Sequence, residues 1–262
     1  MPALLILIPV FLVPTAVMIS KSFTSNHGAF GYYQDLFGSE LARTVFVRSF
    51  EIAGLVTLIS LAIGLPYATV ALKAGPRLRA LLLGSIAASL FFSVIVRAYA
   101  WLALLGKDGP VVGSLGLLGL DTHELTLSHS RTAVILGMVQ YGVPFMVLAI
   151  IDVLRRVDGN IDRAAATLGA GPVTRWTRVT LPLIAPGVIA GITIVFTTSL
   201  GYFVIPAVLG SPREQMVGQL ISTQVGTTLE WGLGAALSAT LLAISLTAIL
   251  VFRRIGNRFG GA

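Results

Sequence analysis

The sequence predicts an all-α integral membrane protein with six transmembrane helices and both termini on the cytoplasmic side. Three observations predict it: a composition too apolar for a water-facing surface, six long apolar runs, and basic residues gathered into alternate connections. Of 262 residues, 55% are hydrophobic and 11% charged, where soluble domains carry about 25% charged residues. Mean hydropathy is +0.90. So few charges cannot solvate a chain this size, which excludes a soluble enzyme, a disordered chain and a coiled coil. Residues 1–262 read as one transmembrane domain, with room for about six spans of about 20 residues.

The runs are Ala3–Ser20, Ile52–Leu72, Ala80–Leu105, Thr132–Ile151, Leu183–Leu209 and Gly234–Phe252. Each is long enough to cross about 30 Å of hydrocarbon as a helix. None alternates apolar and polar residues over about ten positions, as a barrel strand does. The first run has no basic leader and no small-residue cleavage site before Lys21, and it holds Pro2, Pro9 and Pro14. A retained span is favoured over a cleaved signal peptide, with a short leader expected to be missing.

Charge places the connections. Lys73–Arg79, Asp152–Thr180 and Arg253–Ala262 hold eleven of the eighteen Lys and Arg but three of the eleven Asp and Glu. They follow alternate spans, so the positive-inside rule makes all three cytoplasmic, with the termini. The net charge of +7 thus reports topology. No basic stripe with interleaved aromatics points to nucleic acid, and the absence of cysteine excludes disulfides and thiolate ligands.

Three connections remain outside. Lys21–Arg48, with Phe23, Phe30, Tyr32, Tyr33 and Phe37, is expected to lie along the interface. Gly106–Arg131 carries the run Gly113–Gly119 with His123 and His129 and is expected to be a flexible loop. Gly210–Trp231 is polar and long enough to dip back toward the membrane. None of these holds a nucleotide motif. Asp108 follows Gly106-Lys107, so the hydroxyl of a phosphate-binding loop is missing, and Gly113–Gly119 has the wrong spacing for a dinucleotide fingerprint. His27, His123 and His129 are too scattered for a helical metal pair. No catalytic residue, cofactor or metal is expected in this chain.

The most informative segment is Asp152–Pro182, whose core reads DGNIDRAAATLGAGPVTRWTRVTLP. It is far longer than a minimal hairpin. Asn160 suits the N-cap of a short Ala-rich helix Ile161–Leu168. Gly169 and Gly171 stop it. Pro172 opens a second short helix, Pro172–Val179, and Leu181-Pro182 returns the chain to the membrane. From these residues alone the hairpin either merely closes the loop or offers a docking face of small side chains.

This segment resembles the cytoplasmic signature of ABC-importer permeases: two alanines, a glycine, and an aliphatic residue before Leu-Pro at fixed spacing. Ala164, Ala165, Gly169, Val179, Leu181 and Pro182 match. Arg163 stands where the family often has Glu, with Asp162 adjacent. Val96–Val111, Ser199–Ile221 and Trp231–Ser238 resemble spermidine/putrescine-type permeases, in particular the first of their two permease subunits. The likeness covers most of Arg43–Phe252. It implies the type I ABC importer permease fold in a bacterial inner membrane. It also implies a pathway for a polyamine or a related solute such as aminoethylphosphonate or an opine. The implied partners are an ABC ATPase dimer holding ATP and Mg, a second related permease, a periplasmic or lipid-anchored solute-binding protein, and membrane lipid. The resemblance places ATPase coupling at residues 152–182, on Arg163, Ala164, Ala165, Leu168, Gly169, Ala170, Val179, Leu181 and Pro182. A large side chain at Gly169 is expected to clash at the docking groove or block the turn.

Ionisable groups within spans are costly and mark pathways. Glu51 and Arg97 stand out. Glu51 equally fits an i,i−3 pair with Arg48, and Arg97 fits snorkelling to headgroups. Tyr99, Trp101, Tyr141 and Tyr202 either line a pathway and stack on a cation or form an interfacial belt. Pro144 and Pro206 are expected to bend the fourth and fifth spans. A self-sufficient secondary transporter is the alternative, but no inverted repeat supports it. A membrane enzyme lacks any nucleophile or His/Asp constellation.

Overall fold

Inside hydrocarbon a backbone must satisfy its own hydrogen bonds, so apolar runs of this length fold as helices. The structure, a computed structural model, describes residues 2–24, 28, 30–117 and 127–259. In chain order the helices are α1 (Pro2–Lys21), α2 (Gly31–Gly38), α3 (Glu40–Lys73), α4 (Pro76–Phe91), α5 (Val94–Leu105), α6 (Pro110–Leu117) and α7 (Arg131–Leu154). They continue as α8 (Gly159–Thr167), α9 (Pro172–Arg175), a π turn (Trp176–Thr180), α10 (Leu181–Leu200), α11 (Val204–Leu209), α12 (Val217–Gly226) and α13 (Trp231–Phe259).

Among the described residues four helical stretches are long and apolar enough to cross a membrane: Glu40–Lys73, Arg131–Leu154, Pro172–Leu200 and Trp231–Asn257. A fifth is reached if α4 and α5, bent by 102°, count as one. The run Ala80–Leu105 is therefore not a single straight helix. Phe92 and Ser93 both adopt extended backbone angles, and the β-branched pair Val94-Ile95 restarts the chain in a new direction. No Pro or Gly announces this break.

Helix α3 starts at Glu40, not near Ile52, and runs 34 residues, about 51 Å at 1.5 Å per residue. The Ser39 hydroxyl accepts from the Ala42 amide at 3.3 Å, and Glu40 places a negative charge in the first turn. Any interfacial segment thus ends at Ser39, and Arg43, Arg48 and Glu51 ride on α3. Helix α7 remains helical through Pro144. The fifth run breaks at Gly201–Phe203, before Pro206, which sits inside α11. Gly113–Leu117, expected to be loop, is the end of α6. His27, His123 and residues 118–126 lie outside the described residues.

The core forms where α3, α7 and α10 cross. Ile52, Val56, Met138, Met146, Ile150, Ile184 and Val195 are buried there. Apolar lipid offers little drive to pack helices, so small residues that allow close approach do it. A Cβ on Gly142 would stand 2.9 Å from both Ser60 Oγ and Val195 Cγ1, and one on Gly191 would press on the Met146 thioether. A second cluster holds α12 against the bundle. Val217 and Leu220 of α12 are buried with Leu36, Val45 and Leu237. The Val217 amide donates to Ser49 Oγ at 2.9 Å, and Ser49 donates in turn to the Val45 carbonyl.

Candidate functional site

The segment 152–182 is built as two helical legs joined by a left-handed turn. Asp158, not Asn160, caps the first leg: its carboxylate accepts from the Asn160 amide at 2.9 Å, so α8 begins at Gly159. Gly169 closes it with φ +81°. The Gly169 amide donates to the Ala166 carbonyl at 3.0 Å and the Ala170 amide to the Ala165 carbonyl at 3.1 Å. That pair of bonds is the Schellman turn, which needs a residue tolerant of positive φ. Gly171 is different. Its φ is −65°, and it caps α9 with Pro172 in the first turn.

The second leg is not a separate short helix. α9, the π turn and α10 form one continuous helical stretch, Pro172–Leu200. The Leu181 amide reaches back five residues to the Trp176 carbonyl. Pro182 follows at once; it has no amide to donate and its ring crowds the carbonyl four residues back, which the wider turn accommodates. Asp162 of α8 and Arg175 of α9 tie the legs together through an ion pair of 2.8 Å. Trp176 lies under the Lys73 ammonium, 6.0 Å from ring centre, anchoring the second leg to the end of α3.

The sequence-predicted residues fall on both sides of this hairpin. Arg163 and Ala164 are exposed, Ala165 and Ala170 half-buried at the turn. Leu168 is 87% exposed and Val173 73%, an apolar pair left facing outward. Val179 lies half-buried in the π turn, Leu181 half-buried against the core, and Pro182 exposed. Sequence reasoning missed the Asp162–Arg175 tie, although opposite charges in the two legs were a readable signal. It also missed Trp176.

A second constellation gathers on α5, α7 and the α10–α11 break. Arg97 sits over the Tyr141 ring at 5.8 Å and donates to Ser89 Oγ at 3.5 Å, across the α4–α5 bend. Tyr141 packs on Tyr202 at 4.7 Å and on Phe145 at 5.1 Å between ring centres. Trp101, one turn below Arg97, donates its Nε1–H to Gln140 Oε1 at 2.6 Å. Three of the six predicted pathway residues thus meet, Arg97, Tyr141 and Tyr202, while Trp101 bonds to Gln140, the residue before Tyr141. Gln140, Phe145 and Ser89 were missed. Tyr99 points elsewhere on α5 and is 59% exposed.

Glu51 is separate. Its partner is Arg131 at 2.8 Å, not Arg48, because α3 and α7 pack side by side there. The pair borders an open cavity of about 380 Å³ that also meets Arg43 and Arg48. Arg131 lies ten residues before Tyr141, about 15 Å along the helix. Among the described residues no group of three or more His, Asp or Glu is placed to hold a metal.

This chain is similar to known membrane components of transport systems. The family described as binding-protein-dependent transport system inner membrane component matches residues 1–260. The spermidine/putrescine transport system permease protein PotB of Haemophilus influenzae is 30% identical over 251 residues, 93% of this chain and 87% of that protein. The inner membrane ABC transporter permease YdcU of Escherichia coli is 32% identical over 226 residues, 81% of this chain and 71% of that one. Among solved structures, a chain of a bacterial alginate ABC transporter in complex with alginate pentasaccharide-bound periplasmic protein superposes with TM-score 0.83. It is 18% identical and covers 97% of this chain and 91% of its own. A chain of the inward-facing MetNI methionine ABC transporter gives 0.64 at 16% identity, covering 84% and 99%. The chain therefore belongs to the binding-protein-dependent transport system inner membrane components: it is a permease, the non-enzymatic membrane subunit of an ABC importer.

Proposed function

We propose that this permease forms the translocation pathway for a small organic cation of the polyamine class, putrescine or spermidine, with aminoethylphosphonate or an opine as the alternative cargo. The observation that carries this reading is the ring cluster at the α10–α11 break. Tyr141 and Tyr202, 4.7 Å apart, carry ring faces that attract cations, as the Arg97 guanidinium 5.8 Å from the Tyr141 ring illustrates. The relatives named for spermidine and putrescine support the same class.

In this reading the chain has six spans: α1, α3, the bent pair α4–α5, α7, α10 and α13. Both termini are cytoplasmic, in the inner membrane. The hairpin 152–182 docks in a groove of an ATPase subunit through Leu168, the Ala164–Ala165 pair and Ala170. Val179, Leu181 and Pro182 carry the second leg into the membrane. ATP and Mg sit on the ATPase dimer. A second, related permease completes the pathway, a periplasmic or lipid-anchored solute-binding protein delivers the cargo, and lipid surrounds the assembly. ATP-driven closure moves the docked legs and switches access from one side to the other.

The test is reconstitution with the companion subunits in vesicles, following ATP hydrolysis with the binding protein and candidate solutes. Stimulation by putrescine or spermidine is the expected result. Stimulation only by another solute overturns the polyamine class but keeps the importer. Absence of ATPase association overturns the docking role of 152–182.

A further inference from the structure

We infer that the groove between α10 and α13, at the end of the bundle that carries segment 152–182, binds one anionic phospholipid of the adjoining leaflet, its phosphate held by Arg253 and its acyl chain lying along α10. The groove encloses about 710 Å³, within the range of small-ligand sites. Its depth comes from compact residues: Pro186 and Ala190 on α10 and Gly256 on α13 line it. Its walls are apolar, with Ile189, Ile194 and Ile249. Thr193 adds no polarity, because its hydroxyl is spent on the Ile189 carbonyl at 2.7 Å.

Polarity is confined to one end. Arg253 and Asn257 stand one helical turn apart on α13, so both reach the same point. Arg253 has no ion-pair partner among the described residues, and Arg254 adds a second positive charge beside it. An apolar trough closed at one end by a guanidinium and an amide has the polarity of a phospholipid. The guanidinium fork matches phosphate oxygens bidentately, and Asn257 supplies further donors.

Length separates this occupant from a partner helix. Along α10 the groove runs from Pro186 to Ile194, and along α13 from Ile249 to Asn257. Each is eight rises, about 12 Å, close to one leaflet of a hydrocarbon core about 30 Å thick. A spanning helix would need twice that. A lipid seated there bridges α13 to α10, the helix that continues into Pro172–Thr180, so it bears on the part of the permease that moves with the ATPase.

The test uses the full-length permease in dodecyl maltoside micelles, titrated with palmitoyl-oleoyl phosphatidylglycerol or phosphatidylcholine and read by native mass spectrometry. One phosphatidylglycerol should be retained, about fivefold more tightly than phosphatidylcholine, the advantage expected of one arginine near the surface. Arg253→Gln should abolish that preference, Arg253→Lys should keep most of it, and Arg213→Gln, in a distant loop, should not change it. Should Arg253→Gln fail to fold, Ala190→Val narrows the trough without touching charge and should weaken both lipids. An unchanged preference in Arg253→Gln overturns the proposal. So does glycerol 3-phosphate competing as well as the lipid, which would mean a bare anion site. A cysteine at Ala190 that cross-links to the second permease whatever lipid is present would mark a subunit interface instead. None of these readouts involves transport, so they stand or fall apart from the polyamine reading.

Discussion

Replacing Gly169 by alanine probes the turn that joins the two legs of the proposed coupling hairpin. Among the described residues a Cβ built there meets nothing within 4 Å, so within this chain the cost is conformational. At φ +81° a Cβ crowds the following carbonyl, at about 1–2 kcal/mol for an ordinary L-residue. The free hairpin is exposed and can relax to another turn, so this cost falls on docking: about a five- to thirtyfold loss of affinity for the ATPase. Asparagine tolerates the left-handed region, so Gly169→Asn should lose much less than Gly169→Ala. Gly169→Asp shares that tolerance, so any additional loss reports a charge placed in the docking groove. The assay is co-purification of the ATPase and solute-stimulated ATP hydrolysis, normalised to permease content of the membrane, which should not change. Equal losses in the Ala and Asn variants, or full coupling in Gly169→Ala, would refute the reasoning.

Four further predictions follow from the packing. Asp162→Asn should lower coupling and the swap Asp162→Arg with Arg175→Asp should partly restore it; the pair is 49% and 27% exposed, so a double-mutant cycle should give an interaction below about 1 kcal/mol. Gly142→Val should cut the yield of monodisperse protein on size exclusion, since its Cβ would stand 2.9 Å from two neighbours and overpacking costs about 1–3 kcal/mol, whereas Gly84→Val, with nothing within 4 Å, should not. Ser60→Ala should leave Tm unchanged or raise it, because the Ser60 hydroxyl is buried with no hydrogen-bond partner among the described residues and burying it so is unfavourable. Trp101→Phe removes the 2.6 Å bond to Gln140 and should slow uptake at unchanged protein level, while Tyr99→Phe should transport normally.

Long-range order in this chain was legible where the physics is one-dimensional. Hydrophobic run length located the helices, and positive φ at Gly169 followed from a glycine placed after an Ala-rich turn. Features set by two elements meeting were not legible. Glu51 had Arg48 in sequence reach, yet only the packing of α3 against α7 brings Arg131 nearer. The bend at Phe92–Ser93 carries no Pro or Gly, so tertiary contacts decide it against a helix-compatible local sequence. The continuity of Pro172 with α10 was hidden by Pro182, which reads as a terminator unless a π turn absorbs it. Of the aromatic candidates, Trp101 and Tyr99 are two residues apart on α5 and hence on different faces, a distinction that spacing could have drawn had the inward face of α5 been known.

In the proposed coupling, the unbroken stretch Pro172–Leu200, 29 residues and about 43 Å long, would act as a lever. At Gly187 and Gly191 a Cβ would press on Ala149 and Met146 of α7, and this close crossing serves as the fulcrum. From Pro172 to their midpoint is about 26 Å, and from there to Leu200 about 17 Å. A sideways stroke of about 3 Å at the docked end therefore swings the far end about 2 Å the other way. Tyr202 lies just past that end, with its ring tilted against Tyr141 at 4.7 Å, so such a stroke would alter that ring contact. The π turn at Trp176–Thr180 lies within the arm that the proposed docking would push, so a substitution that removes it would test how the stroke is passed on.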